Sequence, residues 1–337
     1  MTGTERSRSM VRQGWKRRGM ALCAAALLIG MLGGCASPQG MPPSPASAAP
    51  QEGTAPEATR ITDDLGREIA VAAPQRVVAL YGSYAEAWLL AGGELAGTTR
   101  DAVEERKMEL GDGVEIVGTV KEPNLERILA LEPDFVLLNP DIEGQMKLDE
   151  TLEALSIPHA YFQGDTYRDY LRMMAALCAV TGRADLYERN AGQVEEQIQA
   201  VLAKVPQAGS APTALLIRAF STGAKAKGAD NLAGAILEDL GADNIAARQE
   251  GLLEDLSLEA IIQEDPQFIL VVTMGDEGQA LEALKVNFED NPGWAGLQAV
   301  QSGRYAVLPR ELFHYKPNAR WGESYAYLAK ILYPDME

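Results

Sequence analysis

Short, wholly apolar runs alternate along this chain with stretches in which apolar residues recur every three or four positions. Val77-Val78-Ala79-Leu80, Phe135-Val136-Leu137-Leu138 and Phe268-Ile269-Leu270-Val271-Val272 belong to the first kind. Such runs suit strands buried on both faces of a parallel sheet. The longest example of the second kind is Ala184 to Val205. Its apolar positions are Tyr187, Ala191, Val194, Ile198, Val201, Leu202 and Val205, with Glu188, Arg189, Glu195, Glu196 and Gln199 opposite. The spacing predicts one amphipathic helix between Gly182 and Pro206, a rod of roughly 33 Å at about 1.5 Å per residue.

One segment occurs twice. The stretch from Leu125 to Leu138 aligns without gaps, 133 positions on, with Leu258 to Val271, and Leu, Glu, Ile, Pro, Phe and Leu recur in register. Each copy reads as a short helix with an early Glu, an end near a Pro, and an apolar strand after it. The repeat and the rod together predict an α/β fold of two doubly wound lobes joined by a single long α-helix, with a ligand cleft between them. In the first lobe (59–183) a hairpin spanning Arg60 to Val71 leads to strands at Arg76–Leu80, Leu95–Thr99, Glu115–Val117, Phe135–Leu138 and His159–Phe162. The linking helix takes 184–205. The second lobe (206–337) has strands at Thr213–Ile217, Phe268–Thr273 and Tyr305–Leu308. Its helices are expected at Asn231–Leu240, Leu258–Glu264, Gly278–Lys285 and Asn318–Leu332.

Composition changes the reading of the first 58 residues. Arg12, Lys16, Arg17 and Arg18 precede an uncharged run from Gly19 to Gly34, too short for a comfortable membrane span and suited to a signal-peptide core. It ends in Leu32-Gly33-Gly34-Cys35, which resembles the lipobox of bacterial lipoproteins and implies that Cys35 is lipidated. Residues 1–35 are therefore assigned to a lipoprotein signal, with translation starting at Met1 or Met10. Residues 36–58 hold six Pro among Ser, Ala, Gly and Gln. They bury too little to order themselves and read as a tether. Of the three cysteines, Cys23 leaves with the signal and Cys35 takes lipid, so Cys178 is expected as a lone buried thiol. Residues 1–34 carry six of the 30 basic and one of the 48 acidic residues, so their removal leaves a formal charge of −23. That balance argues against nucleic acid as a partner and favours solubility outside the cell.

In open α/β sheets ligands bind beyond the carboxyl ends of the strands. In the first lobe those ends bring Tyr81, Ser83, Tyr84 and Arg100. In the second they bring Arg218, Lys225 with Lys227 in a Gly-rich loop, and the run from Arg310 to Lys316 that holds His314 and Tyr315, with Arg320 a further candidate just beyond it. Aromatic, hydroxyl and cationic groups facing one cleft suit a ligand with flat apolar surface and negative charge. Enzyme motifs are missing: there is no G-x-S-x-G, H-E-x-x-H or C-x-x-C, and Gly223-Ala224-Lys225-Ala226-Lys227-Gly228 lacks the Gly-Lys-Ser/Thr end of a phosphate loop. With two histidines, His159 in a strand and His314 in a loop, no bare metal site is expected.

From Arg60 onward the chain resembles the helix-linked class of ABC-transporter solute-binding proteins for ferric siderophores, haem and cobalamin. The resemblance rests on Arg76-Val77-Val78-Ala79-Leu80 before a Ser-containing helix start, Asn124-Leu125-Glu126 with Glu132-Pro133-Asp134, the single long helix, and Ser257-Leu258-Glu259. It implies a lipid-anchored receptor on the extracytoplasmic face of the membrane. The receptor catalyses nothing, has no resident cofactor, and passes a small-molecule metal chelate to a permease dimer with its ATPase subunits. It further implies that Glu126 and Glu259 dock to permease arginines. A ferric siderophore is the expected cargo, with haem or a corrinoid as the alternative of the same fold. A cleft lined by Arg100, Arg218 and Arg320 would favour the anionic ferric chelate.

Overall fold

The structure, a computed structural model, describes residues 57–206, 211–248, 250–254 and 256–336. The signal, Cys35 and the tether as far as residue 56 lie outside the described residues. Strands β1 (Thr59–Thr62) and β2 (Glu68–Val71) form the antiparallel hairpin. Its turn is built by Asp63, whose Oδ1 accepts from Leu65 N at 3.1 Å and Arg67 N at 2.8 Å, while Gly66 takes a φ of 77°. A side chain with a Cβ is strained there, which is why glycine serves.

The first parallel sheet has the order β5-β4-β3-β6-β7, with β3 at Val77–Ala79, β4 at Leu95–Thr98, β5 at Glu115–Ile116, β6 at Phe135–Leu138 and β7 at His159–Tyr161. Alternation divides its residues between two cores. Val77, Ala79, Phe135 and Leu137 join the main core, and Val78, Leu80, Val136 and Leu138 join a smaller one. The uniformly apolar strands thus mark a sheet covered on both faces.

The second sheet contains β8 (Thr213–Phe220), β9 (Gly223–Ala226), β10 (Asp243–Asn244), β11 (Phe268–Thr273) and β12 (Tyr305–Val307), in the parallel order β10-β8-β11-β12. Strand β9 pairs antiparallel with the end of β8. The Gly-rich loop expected around Lys225 is therefore a strand, and the reason is local. Chain reversal at Ser221-Thr222 lets Ala224 and Ala226 bury against the core of that lobe while Lys225 faces out.

The helix expected over 184–205 begins at Ala184 but is not uniform. It runs as α-helix to Tyr187, widens to a π-turn over Glu188–Gly192, and resumes as α-helix over Gln193–Leu202. Two side-chain bonds hold the widened turn. Tyr170 Oη donates to Asn190 O at 2.6 Å, and Asn190 Nδ2 donates to Leu90 O at 2.8 Å. The helix stops short of Val205 because Pro206 disfavours helical backbone at the residue before it. At 1.5 Å per residue the rod is roughly 28 Å. Its stripe is used as the pattern demands. Ala191, Val194 and Ile198 enter the main core, with Tyr187, Val201, Leu202 and Val205 packed against it.

That main core also takes Tyr170, Met174 and Leu177 from the helix Tyr167–Thr181, Leu216 and Leu270 from the second sheet, and Trp321, Tyr325 and Leu328 from the final helix Trp321–Leu332. One apolar core therefore runs through both lobes. The two repeat copies share backbone detail as well. Asn124 caps Leu125–Ala130 and Ser257 caps Leu258–Glu264, and the aligned Glu132 and Asp265 both adopt left-handed φ, 48° and 40°, before Pro133 and Pro266. Cys178 is a buried free thiol. Among the described residues no helix is long and apolar enough to cross a membrane.

Candidate functional site

The carboxyl ends of the parallel strands bring Tyr81, Arg218 and the segment after β12 toward one another. In β8 alternation puts Ala214 and Leu216 in the main core, and Arg218 follows on the same face where that core reaches its rim. Lys225 stands directly opposite Arg218 in the β8–β9 register, so the two cations share a face. Beyond β12, Arg310 lies over the Tyr315 ring at 5.2 Å, and His314 packs on the same ring with centroids 5.0 Å apart. Burial, together with Arg310 and Arg218, pushes the His314 imidazole down to about 4. It is therefore neutral at pH 7.

Across from these residues stands Tyr81. Burial, together with Asp101, Glu105 and Asp165, pushes its phenol up to about 12. Lys316 Nζ lies 5.8 Å from its ring centroid and pairs with Asp165 at 3.0 Å. Arg106 donates from Nη1 to Lys316 O at 2.9 Å and from Nη2 to Glu86. Asn318, buried and at a φ of 50°, donates from Nδ2 to Ser83 O at 2.8 Å and to Glu86 Oε2 at 2.5 Å. These bonds fasten the connector Lys316–Asn318 to the helix Gly82–Leu90 of the first lobe.

Of the residues singled out in the sequence, Tyr81, Arg218, Lys225, His314 and Tyr315 are gathered here. Four others are not. Tyr84 is fully buried, with Oη bonded to Phe162 O and Asn139 Nδ2, so it belongs to the core of the first lobe. The helix that starts at Gly82 turns Tyr84 inward while leaving Tyr81 at the edge. Ser83 is buried too and gives its carbonyl to Asn318, a support for the connector rather than a cleft wall. Arg100 is exposed, with Glu104 at 3.9 Å. Arg320 is exposed and gripped by Glu323 at 2.8 Å. Both arginines begin helices whose next turn supplies a carboxylate, and the local pair takes the guanidinium out of the cleft.

Arg106, Glu105 and Asp165 were not singled out by sequence, and Arg310 and Lys316 were named only as members of the strand-end run. Strand-end position after β12 was the signal that named those two. Arg106 carried none, since its partners Glu86 and Lys316 O are 20 and 210 positions away. His159, expected to be satisfied within the fold, is buried with Nε2 3.0 Å from Asp149 Oδ1. Asp149, Glu153 and His159 lie close enough to suggest a cation site. Arg67 Nη1 already provides the cation, 3.0 Å from Asp149 and 3.2 Å from His159.

Glu126 and Glu259 stand exposed in the first turns of the two repeat helices. There a carboxylate meets the positive end of the helix dipole and remains open to a partner.

The profile of the periplasmic binding protein family matches residues 77–312. The Fe(3+)-citrate-binding protein of Bacillus subtilis (strain 168) is 24% identical over 259 residues, 74% of this chain and 78% of the relative. The vitamin B12-binding protein of Pectobacterium atrosepticum is 28% identical over 216 residues, 62% of this chain and 75% of the relative. Among solved structures, the periplasmic catecholate-siderophore binding protein of Vibrio cholerae superposes with a TM-score of 0.62 at 19% identity, covering 83% of this chain and 100% of that one.

Proposed function

The chain belongs to the periplasmic binding protein family, and from that premise we propose that it is the extracytoplasmic substrate-binding component of an ABC importer. It takes an anionic ferric chelate of the siderophore kind into the cleft between its sheets and presents it to a permease. The family and its structural neighbours are binding proteins, not enzymes. The observation that carries the cargo reading is the gathering of Tyr81, Arg218, Arg310, His314 and Tyr315 at the strand ends of a chain whose formal charge is −18. A cationic, aromatic cleft in so acidic a protein suits an anion with a flat surface.

Glu126 and Glu259, one on each lobe, meet basic surfaces on the two permease subunits, and Cys35 anchors the tether to the membrane. Replacing Cys35 by Ser is expected to move the protein from the membrane to the soluble fraction or leave it unprocessed. Processed Cys35→Ser protein that stays on the membrane would refute the anchor.

A haem or corrinoid receptor is the second reading. It is favoured by His314, whose neutral imidazole offers a lone pair to a metal. Titration of the mature protein with ferric chelates, haem and cyanocobalamin, followed by tryptophan fluorescence and visible absorption, tests both. Micromolar or tighter binding of a ferric chelate, without the shifted absorption of ligated haem, is the expected result. Binding of none of these ligands would end the importer-receptor reading.

A further inference from the structure

We propose that Gln145 is a positioning residue, whose one buried carboxamide fixes the cleft rim of the first lobe and the docking helix of that lobe against each other. The inference rests on the importer-receptor reading for the meaning of the two faces. The rim at Leu80–Tyr81 meets cargo, and the helix Leu125–Ala130 offers Glu126 to the permease.

Gln145 is fully buried, and both its N–H groups and its oxygen are in use. Nε2 donates to Leu80 O at 2.7 Å and to Val120 O at 2.9 Å, while Oε1 accepts from Asn139 N at 2.8 Å. Leu80 follows β3 and precedes Tyr81, Asn139 follows β6, and Val120 lies in the turn after β5. Asn139 carries the pattern one strand further. Its Nδ2 donates to Tyr84 Oη at 2.6 Å, and that hydroxyl donates to Phe162 O just past β7. Two neutral amides thus join the carboxyl ends of four of the five strands of the first sheet. Glutamine suits the place because one side chain brings two donors and an acceptor, where a leucine brings none and a carboxylate has no donor.

The turn after β5 runs straight into the docking helix. Gly118 bridges to Pro123, Thr119 N donates to Glu122 O at 3.2 Å, and Asn124 N donates to Val117 O at 2.7 Å before Asn124 caps the helix. So closed a turn moves as a unit, and holding Val120 holds the helix start. The residue beside Gln145 adds a second contact. A Cβ on Gly144 would lie 1.9 Å from Lys121 O, so only glycine lets the helix Glu143–Met146 come close enough for Gln145 to reach Val120. Carbonyls and N–H groups left unmatched in this interior are costly, so loss of the amide releases the rim and the turn together.

Hydrogen exchange of the mature protein, read by mass spectrometry over Tyr81–Ala85 and Gly118–Asn124, tests this joint hold. Gln145→Leu should speed exchange in both segments, roughly ten- to a hundredfold. Tyr84→Phe removes a hydroxyl from the same network without touching Leu80 O or Val120 O, and should leave Gly118–Asn124 within about twofold of the parent. Gln145→Glu should match Gln145→Leu at about pH 8. At about pH 5, compared with the parent at that pH, it should regain part of the protection, because a protonated carboxyl donates to one of the two carbonyls. Gly144→Ala pushes on the turn from outside the network and should loosen both segments as well, which keeps the test open should Gln145→Leu misfold. With ferric citrate as probe, Gln145→Leu should bind more weakly. At saturating ferric citrate it should still fall short of the parent in stimulating the importer's ATPase, a deficit that lost affinity alone does not produce. The inference is overturned if Gln145→Leu loosens one segment and leaves the other as in the parent, if Tyr84→Phe loosens both as much, or if saturation restores full stimulation. Failure of the parent to bind ferric citrate, haem or cyanocobalamin ends the importer-receptor reading, whereas the exchange pattern decides the role of Gln145 without any ligand.

Discussion

Tyr81 and Tyr84 lie three positions apart in sequence with rings 5.4 Å apart, yet their chemistry differs because only one is sealed. Burial holds the Tyr84 phenol well above its ordinary range, and its hydroxyl serves Phe162 O and Asn139 Nδ2. Tyr84→Phe removes both bonds and leaves only the long contact of 3.4 Å between Asn139 Nδ2 and Phe162 O, a change that should cost about 1 to 3 kcal/mol in urea unfolding. Ligand affinity should remain within twofold, and a tenfold loss would place Tyr84 in the binding surface after all. His314 makes a different kind of prediction. Its pKa falls from 6.5 in the unfolded chain to about 4 when folded. As pH drops below 6.5 the unfolded state takes up a proton before the folded state does. The contribution of a neutral His314 is thus fully present above pH 6.5 and lost toward pH 4, at most about 3 kcal/mol. His314→Gln should flatten the fall of melting temperature across that window. An unchanged slope would mean that other groups set it.

The two repeat helices carry the carboxylates proposed to dock to the permease. Asn124 Oδ1 accepts from Arg127 N at 2.9 Å and Ser257 Oγ accepts from Ala260 N at 3.3 Å, so both helix starts are capped from the same relative position. Glu126 and Glu259 follow two positions after these caps. As mere helix-start charges each would contribute about 0.3 to 1 kcal/mol and nothing to transport. Their equivalent placement on two lobes suits a permease of two like subunits. Glu126→Lys with Glu259→Lys should abolish uptake in cells and stimulation of the importer's ATPase, with ligand affinity and melting temperature nearly unchanged. Transport that survives the double reversal would leave them as helix-start charges only. The linking helix shows what an element's own pattern omits. Its periodicity specified the buried stripe, but the π-turn depends on Tyr170 and Leu90, which the helix sequence does not contain.

Across the whole molecule, the two sheets are joined by more than the linking helix. The main core runs from Val77 through Tyr170 and Ile198 to Leu270 and Tyr325, and the connector Lys316–Asn318 is bonded to the first lobe by Arg106, Glu86 and Ser83. Separating the lobes would expose that core, so they should not unfold independently. Calorimetry is expected to give one transition, and two resolved transitions would mean that the lobes are energetically separate. The α/β class, most strand positions, the helix stripe and the duplicated helix–strand unit were all legible in the chain, because burial follows a period of 2 or 3.6 set by backbone geometry and needs only near neighbours. The state of each cleft cation was not legible. Arg218, Arg310, Arg320 and Arg100 are alike as residues, and whether a guanidinium is spent or free depends on carboxylates that the fold brings within about 4 Å. Glu323 and Glu104 come from the next helical turn, and Glu86 reaches Arg106 from another helix. Sequence therefore determined where the strands end and which residue types crowd those ends. The folded structure decided which of them keep an unpaired charge, because pairing is a matter of a few ångströms, set for Arg100 and Arg320 by a local helical turn and for Arg106 by Glu86 of another helix.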